Sequence, residues 1–190
     1  APRAYCIIRY PSVFFFVVAY RRISRQESWT SVRVFRSILI VCVGNICRSP
    51  TAEIVLRERL GPGAGIAVSS AGLQALVDRP IDPMAATLLH ERGLDPDAHR
   101  ARQLSGSLLG AADLVLVMER RHQASIIRDH PQASGKTMLL GKWTGEREIP
   151  DPYRQQRPAF EHALDLVERS VEAWLPYLRP AARSAFPASP

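Results

Sequence analysis

Ile38-Leu39-Ile40-Val41-Cys42-Val43-Gly44-Asn45-Ile46-Cys47-Arg48-Ser49-Pro50-Thr51-Ala52-Glu53 decides how the chain folds. The first four residues are apolar and mostly β-branched, which predicts a strand buried on both faces. Pro50 is suited to the first helical position, and Thr51, Ala52 and Glu53 continue the helix. A strand therefore ends at Cys42, a short loop follows, and a helix begins at once. Backbone N–H groups of such a loop and of the helix N-terminus converge on one point, where the helix dipole adds positive potential. That geometry binds an oxyanion. Gly44 is expected to bring the backbone close or to take positive φ. Arg48 supplies a planar fork of donors matched to phosphate.

Donors that bind phosphate also stabilise a thiolate, and the Ser49 hydroxyl is placed to add one more hydrogen bond. Cys42 then reads as a nucleophile inside a phosphate cradle. The chemistry suggested is phosphoryl transfer to sulfur, then hydrolysis of the phosphocysteine. A bare Cys-x5-Arg arises often by chance, and an inert buried cysteine is the plain alternative. The full run from Val41 to Glu53, set between strand and helix, is far more specific. It resembles the phosphate loop of the low-molecular-weight protein tyrosine phosphatases, above all the bacterial branch that works beside exopolysaccharide tyrosine kinases.

Working outward, the composition bounds the alternatives. The 190 residues suffice for one domain with a full core. Cys6, Cys42 and Cys47 are the only cysteines. So sparse and odd a set is no disulfide framework and fits a reducing cytosol, hence a cytoplasmic protein. It also offers too few ligands for a zinc site, and no metal or cofactor is expected. No stretch is long enough to span a membrane, so stable membrane insertion is not expected. The net charge of +7 invites a nucleic-acid reading. Its location argues against one, because residues 1–36 carry a net +6 and residues 37–190 only +1.

Residues 1–36 also hold eight of the fourteen aromatics, and Val13 to Ala19 resembles the apolar core of a signal peptide. Tyr20-Arg21-Arg22 follows it where small cleavage-site residues belong, which argues against secretion. No methionine precedes Met84. The expectation is that 1–36 is an extension outside the working protein, with translation starting near Val32 or Val34. The phosphatase domain is expected over 37–178 and a disordered Pro/Ala/Ser tail over 179–190.

From Ser37 onward strands and helices alternate. Strands are predicted at 38–42, 65–69, 113–118 and 136–140. Helices are predicted at 50–60, 83–92, 105–110 and 119–129. A final helix is marked by Phe160, Leu164, Val167, Val171, Trp174 and Leu178 at helical spacing. Pro176 should end or kink that helix. Ser70-Ala71-Gly72-Leu73 is expected as a loop. The alternation implies an α/β fold with a parallel sheet covered on both faces. Ligands of such sheets bind at the strands' C-terminal ends, where Cys42 falls. The resemblance specifies a flavodoxin-like three-layer sandwich with four parallel strands and helices on both faces, over about residues 37–175.

A tyrosine leaves badly as a phenolate, whose pKa is about 10, so a general acid is needed. Ile149-Pro150-Asp151-Pro152-Tyr153 holds one carboxylate between two prolines on a loop. Alone, Asp151 could equally be a turn residue. The resemblance makes Asp151 the acid and then the base for water, with Tyr153 lining the pocket. It also implies that Val43, Gly44, Asn45, Ile46, Cys47 and Ser49 form or support the phosphate loop. Ser70 and His99 are implied to hold Asn45 and Ser49 by hydrogen bonds. The family often has a second aromatic after Tyr153; Arg154 stands there. Leu73 occupies a place where many eukaryotic relatives carry a bulky aromatic, which fits the bacterial branch. His90, His122, His130 and His162 read as surface or packing residues. The implied substrates are phosphotyrosine proteins, among them a bacterial tyrosine autokinase linked to exopolysaccharide or capsule production. An arsenate reductase shares the loop and fold, but it needs relay cysteines downstream, and none follows Cys47. Protein arginine phosphatases also share them, and typically carry threonine where Ile46 stands.

Overall fold

The first strand, β1 (Ser37–Cys42), is buried from Ile38 onward, because both of its faces meet helices. In this computed structural model, which describes residues 35–178, four parallel strands form one sheet. They are β1, β2 (Ala67–Gly72), β3 (Leu114–Val117) and β4 (Thr137–Leu139), in the order β2-β1-β3-β4. The period of two along β1 divides the core. Ile38, Ile40 and Cys42 join one apolar cluster with Val55 and Leu56 of α1 (Arg48–Leu60) and Val167 and Val171 of α5 (Arg157–Leu178). Leu39 and Val41 join another with Leu109 of α3 (Gly106–Ala111) and Ile126 of α4 (Arg120–Asp129). Each fully buried Leu or Ile contributes about 1.5–3 kcal/mol, so the alternation fixes which helices lie on which face. The remaining helix, α2 (Pro83–Glu91), lies against α5 and adds Leu88 and Leu89 to the first cluster.

This is the expected flavodoxin-like α/β sandwich with helices on both faces. The strand order reverses between β1 and β3, and a crevice opens at the C-terminal ends of those strands. Cys42 stands at that point.

Three local expectations need correction. The second strand runs over 67–72, so Ser70, Ala71 and Gly72 lie in the strand and not in a loop. Gly65 has φ 61, which no strand accommodates. The small residues after it are weak strand formers, but each pairs with β1, from Ser37 with Ala67 to Cys42 with Gly72. Second, α1 starts at Arg48, so Pro50 is the third helical residue. Its missing N–H still falls within the first turn, where donors have no helical partner. Third, α5 does not end at Pro176 but runs through it to Leu178, the last described residue.

Phe35 packs against the first core cluster, and the Arg36 carbonyl accepts the N–H of Ala67 at 2.8 Å. Otherwise the expected extension over 1–36 and tail over 179–190 lie outside the described residues. Among the described residues no helix is long and apolar enough to cross a membrane.

Candidate active site

The loop between β1 and α1 turns its carbonyls outward. Those of Cys42, Val43 and Gly44 accept the N–H groups of Leu73, Gln74 and Leu76 at 2.9, 3.0 and 3.0 Å. The Asn45 carbonyl accepts from His99 Nε2 at 2.7 Å. The carbonyls of Ile46 and Cys47 accept from Asp82 N at 2.6 Å and Thr51 N at 3.1 Å. In a trans peptide the next N–H points the opposite way, so the amides of residues 43–48 face inward. The cradle is built from its outside, by the segment after β2.

Two residues shape this packing. Asn45 takes the left-handed conformation at φ 55, which an asparagine tolerates better than most residues. Gly44 was expected to need that freedom, but it has no positive φ, and an added Cβ would meet only Ile46 Cγ1 at 3.5 Å. The glycine that permits close approach is Gly72, where a Cβ would lie 2.5 Å from the Val43 carbonyl oxygen.

At the cradle floor Cys42 is 3% exposed. Its Sγ lies 3.0 Å from Ser49 Oγ and accepts the Asn45 N–H at 3.3 Å. The Asn45 side chain donates to Ser49 Oγ at 2.9 Å and to Ser70 Oγ at 2.8 Å. Ser49 thus accepts from Asn45, which leaves its hydroxyl proton free to point at sulfur. Ser70 in turn donates to Glu53 Oε2 at 2.5 Å, and the Asn45 side-chain oxygen accepts the Arg102 N–H at 2.8 Å. Ser70 and His99 therefore both meet Asn45, and Ser49 is reached through it. Cys47, also in the loop, is buried in the apolar core. Burial first, then the electrostatic influence of the neighbouring Cys42 side chain, pushes its thiol far above the ordinary range, so Cys47 stays a thiol.

Arg48 closes the cradle and is 2% exposed. Its Nη1 donates to Glu119 and to the Ile149 carbonyl at 3.0 Å. Its Nη2 donates to Asp151 Oδ2 at 2.6 Å. Its Nε is buried without a hydrogen-bond partner. The acid loop is braced by Gln155, whose side chain donates to the Asp151 carbonyl at 2.7 Å. Tyr153 stands exposed beside Asp151 with the Arg154 guanidinium 5.3 Å from its ring centre. Leu73 is half-buried and packs on the second core cluster. Ile46 is half-buried in the loop itself.

Sequence reasoning missed Glu119 and the reach of Glu53. Nothing local marks Glu119, whose bond to Arg48 spans 71 residues. Burial works against its charge, but hydrogen bonds from Arg121 and Arg48 outweigh it and hold the carboxyl below its ordinary range. Glu53 was visible only as part of a motif.

An inward ring of amides closed by a buried guanidinium serves a tetrahedral oxyanion, and a thiol at its floor makes the class that of the cysteine-dependent phosphatases. The chain belongs to the low molecular weight phosphotyrosine protein phosphatase family, which matches it over residues 37–184. It is 50% identical over 141 residues to the low molecular weight protein-tyrosine-phosphatase Wzb of Salmonella typhimurium, covering 74% of this chain and 93% of the relative. The solved structure of Vibrio vulnificus Wzb with benzylphosphonate is 45% identical and superposes with a TM-score of 0.70, covering 74% of this chain and 97% of that one. The YwlE arginine phosphatase of Geobacillus stearothermophilus is similar at 33% identity and a TM-score of 0.68, covering 73% and 89%. This chain is a protein-tyrosine-phosphatase by family.

Proposed function

We propose that this enzyme hydrolyses phosphotyrosine through a phosphocysteine, with Cys42 as nucleophile, Arg48 as phosphate clamp and Asp151 as acid and base. The observation that carries the reading is the meeting of all three groups at one cradle. Donors aim at Cys42 Sγ, and Arg48 links the cradle directly to Asp151 at 2.6 Å. A phosphoryl group entering the ring takes Arg48 Nη2 from Asp151 and gains the buried Nε as a second donor. That is the two-pronged recognition a guanidinium provides.

In the first step the sulfur lone pair forms an S–P bond as the P–O bond to tyrosine breaks, and Asp151 gives its proton to the departing oxygen. In the second, Asp151 takes a proton from water, the water oxygen attacks phosphorus, and the S–P bond breaks. Phosphate leaves and the thiolate is restored. Asn45, Ser49, Ser70 and His99 hold the loop in shape while this happens. Glu53 anchors the same network from α1.

The pocket walls favour an aromatic ester. Ile46, Leu73 and Tyr153 offer apolar surface to the face of a phenyl ring, and a P–O bond to a phenol needs the acid that Asp151 supplies. The substrates are phosphotyrosine proteins, and by the resemblance of the phosphate loop to the exopolysaccharide-associated branch a bacterial tyrosine autokinase of polysaccharide export in the cytoplasm. Because an arginine phosphatase shares the fold, the deciding experiment compares kcat/KM for phosphotyrosine and phosphoarginine peptides. Phosphotyrosine is expected to win, and Ile46→Thr should move the ratio towards phosphoarginine. A wild-type preference for phosphoarginine would falsify the assignment. Trapping with Cys42→Ser or Asp151→Ala protein in lysate of its own cells should capture the phosphorylated autokinase.

A further inference from the structure

Behind Arg48 lies a buried histidine that the reaction leaves unused. His122, in the first turn of α4, is 2% exposed, and neither of its ring nitrogens has a hydrogen-bond partner. Buried polar atoms of this kind are rare and call for an explanation. Its Nε2 lies 3.4 Å from Glu119 Oε1, the oxygen that accepts from Arg48 Nη1. From the solvent side, Arg121 holds both oxygens of the same carboxylate, at 2.9 Å and 2.7 Å. Arg121 is 67% exposed and Glu119 only 13%. The carboxylate therefore sits between an exposed surface cation and a buried one.

We propose that His122 is a positioning residue for the phosphate clamp: as the neutral Nε2–H tautomer it donates to Glu119 and keeps that carboxylate on Arg48. The groups facing the ring account for its protonation state. Burial first, then the charges of Arg48 and Arg121, push His122 down to about 4 against the opposing pull of Glu119 and Asp151. Above that value the imidazole carries one proton, and the carboxylate lies on the Nε2 side. Held by His122, Glu119 fixes Nη1 together with the Ile149 carbonyl, so the guanidinium plane is set before Nε and Nη2 meet the phosphoryl group. Losing that hold lets Arg121 draw the carboxylate outward and tilts the fork.

This inference rests on the phosphatase reading, so the wild type is first assayed on an aryl phosphate; absence of turnover there would count against that reading alone. The His122 test has three readouts. In wild-type protein, nitrogen NMR near pH 7 should report a neutral ring protonated at Nε2; a proton on Nδ1 overturns the proposal. His122→Leu should lower kcat/KM for the aryl phosphate roughly tenfold or more and weaken competition by inorganic phosphate to a similar degree, while His122→Gln recovers much of both. In a Glu119→Gln background His122→Leu should cost less than about twofold, because the partner it acts through is already altered. A leucine variant within twofold of wild type, or a loss undiminished in the Glu119→Gln background, overturns the proposal. Should the leucine variant not fold, the glutamine and asparagine variants carry the same comparison. Gln reaches the Nε2 position and Asn does not, so equal activity in the two would also overturn it.

Discussion

A single guanidinium does three things at Arg48: it grips the Ile149 carbonyl, Glu119 and Asp151 from one buried plane. A lysine in its place has one compact charge and no fork. Arg48→Lys should therefore lose activity nearly as completely as Arg48→Ala, each by at least about a hundredfold in kcat/KM. Steady-state rates on phosphotyrosine peptide check this, and a lysine variant retaining most activity would remove Arg48 from its role. Asp151 has a different signature, because its proton matters only to the leaving group. Asp151→Asn should slow phosphotyrosine hydrolysis by about 10²–10⁴ and slow an aryl phosphate with an acidic leaving group much less. Equal losses on the two substrates would make Asp151 a structural turn residue. Both residues were singled out in the sequence, Arg48 by the full run from Val41 to Glu53 and Asp151 by the family resemblance of its Pro-Asp-Pro-Tyr loop, since Cys-x5-Arg or a lone turn aspartate is not specific. Glu119 was not, since its importance comes from contact with Arg48, 71 positions away, and His122 was not, since it is proposed to act only through Glu119.

At the scale of elements, the phosphate loop depends on β2 and the segment after it. Gly72 closes β2, and its missing side chain lets the segment from Leu73 to Leu76 lie on the loop carbonyls. Gly72→Ala would place a methyl 2.5 Å from the Val43 carbonyl oxygen and 3.0 Å from Ala75, and both obstacles include backbone. We expect a stability loss of about 1–3 kcal/mol, measured by denaturant unfolding, with a matching fall in activity. Gly44→Ala, with only ordinary contact to Ile46 Cγ1, should cost clearly less stability. The reverse order would mean that the outer bracing does not shape the cradle. The sequence led to the other glycine because Gly44 lies in the motif and Gly72 follows small, weakly β-forming residues. Their place in the sheet is set by register with β1, and register is a tertiary fact. The long elements were easier: β1 is a continuous apolar run, and α5 repeats its apolar residues at helical spacing over 22 residues.

For the whole molecule, the division of charge separates catalysis from basicity. Residues 1–36 carry a net +6 of the total +7, yet every group assigned to the site lies at Cys42 or beyond. The alternation of strands and helices after Ser37 disclosed the α/β sandwich, and the strand order then placed Cys42 at the crevice between β1 and β3. The composition break near residue 36 was equally plain, but the point at which packing begins was not. Phe35 reaches the core, and Arg36 donates its N–H to Asp113 Oδ2 at 2.7 Å while its carbonyl pairs with Ala67. The Arg36 N–H, with the donors of Ser37, holds the Asp113 carboxyl below its ordinary range. A truncation test should therefore cut before Phe35. Protein lacking residues 1–34 should keep kcat and KM for phosphotyrosine peptide within about twofold of the full chain, because none of the assigned catalytic groups is removed. Its unfolding midpoint in denaturant should also hold. Removing Phe35 and Arg36 as well should lower that midpoint, through lost apolar burial and an Asp113 carboxylate with fewer donors. If the cut before Phe35 abolishes turnover while the domain stays folded, the extension completes the site, and the assignment of catalysis to residues after Ser37 fails.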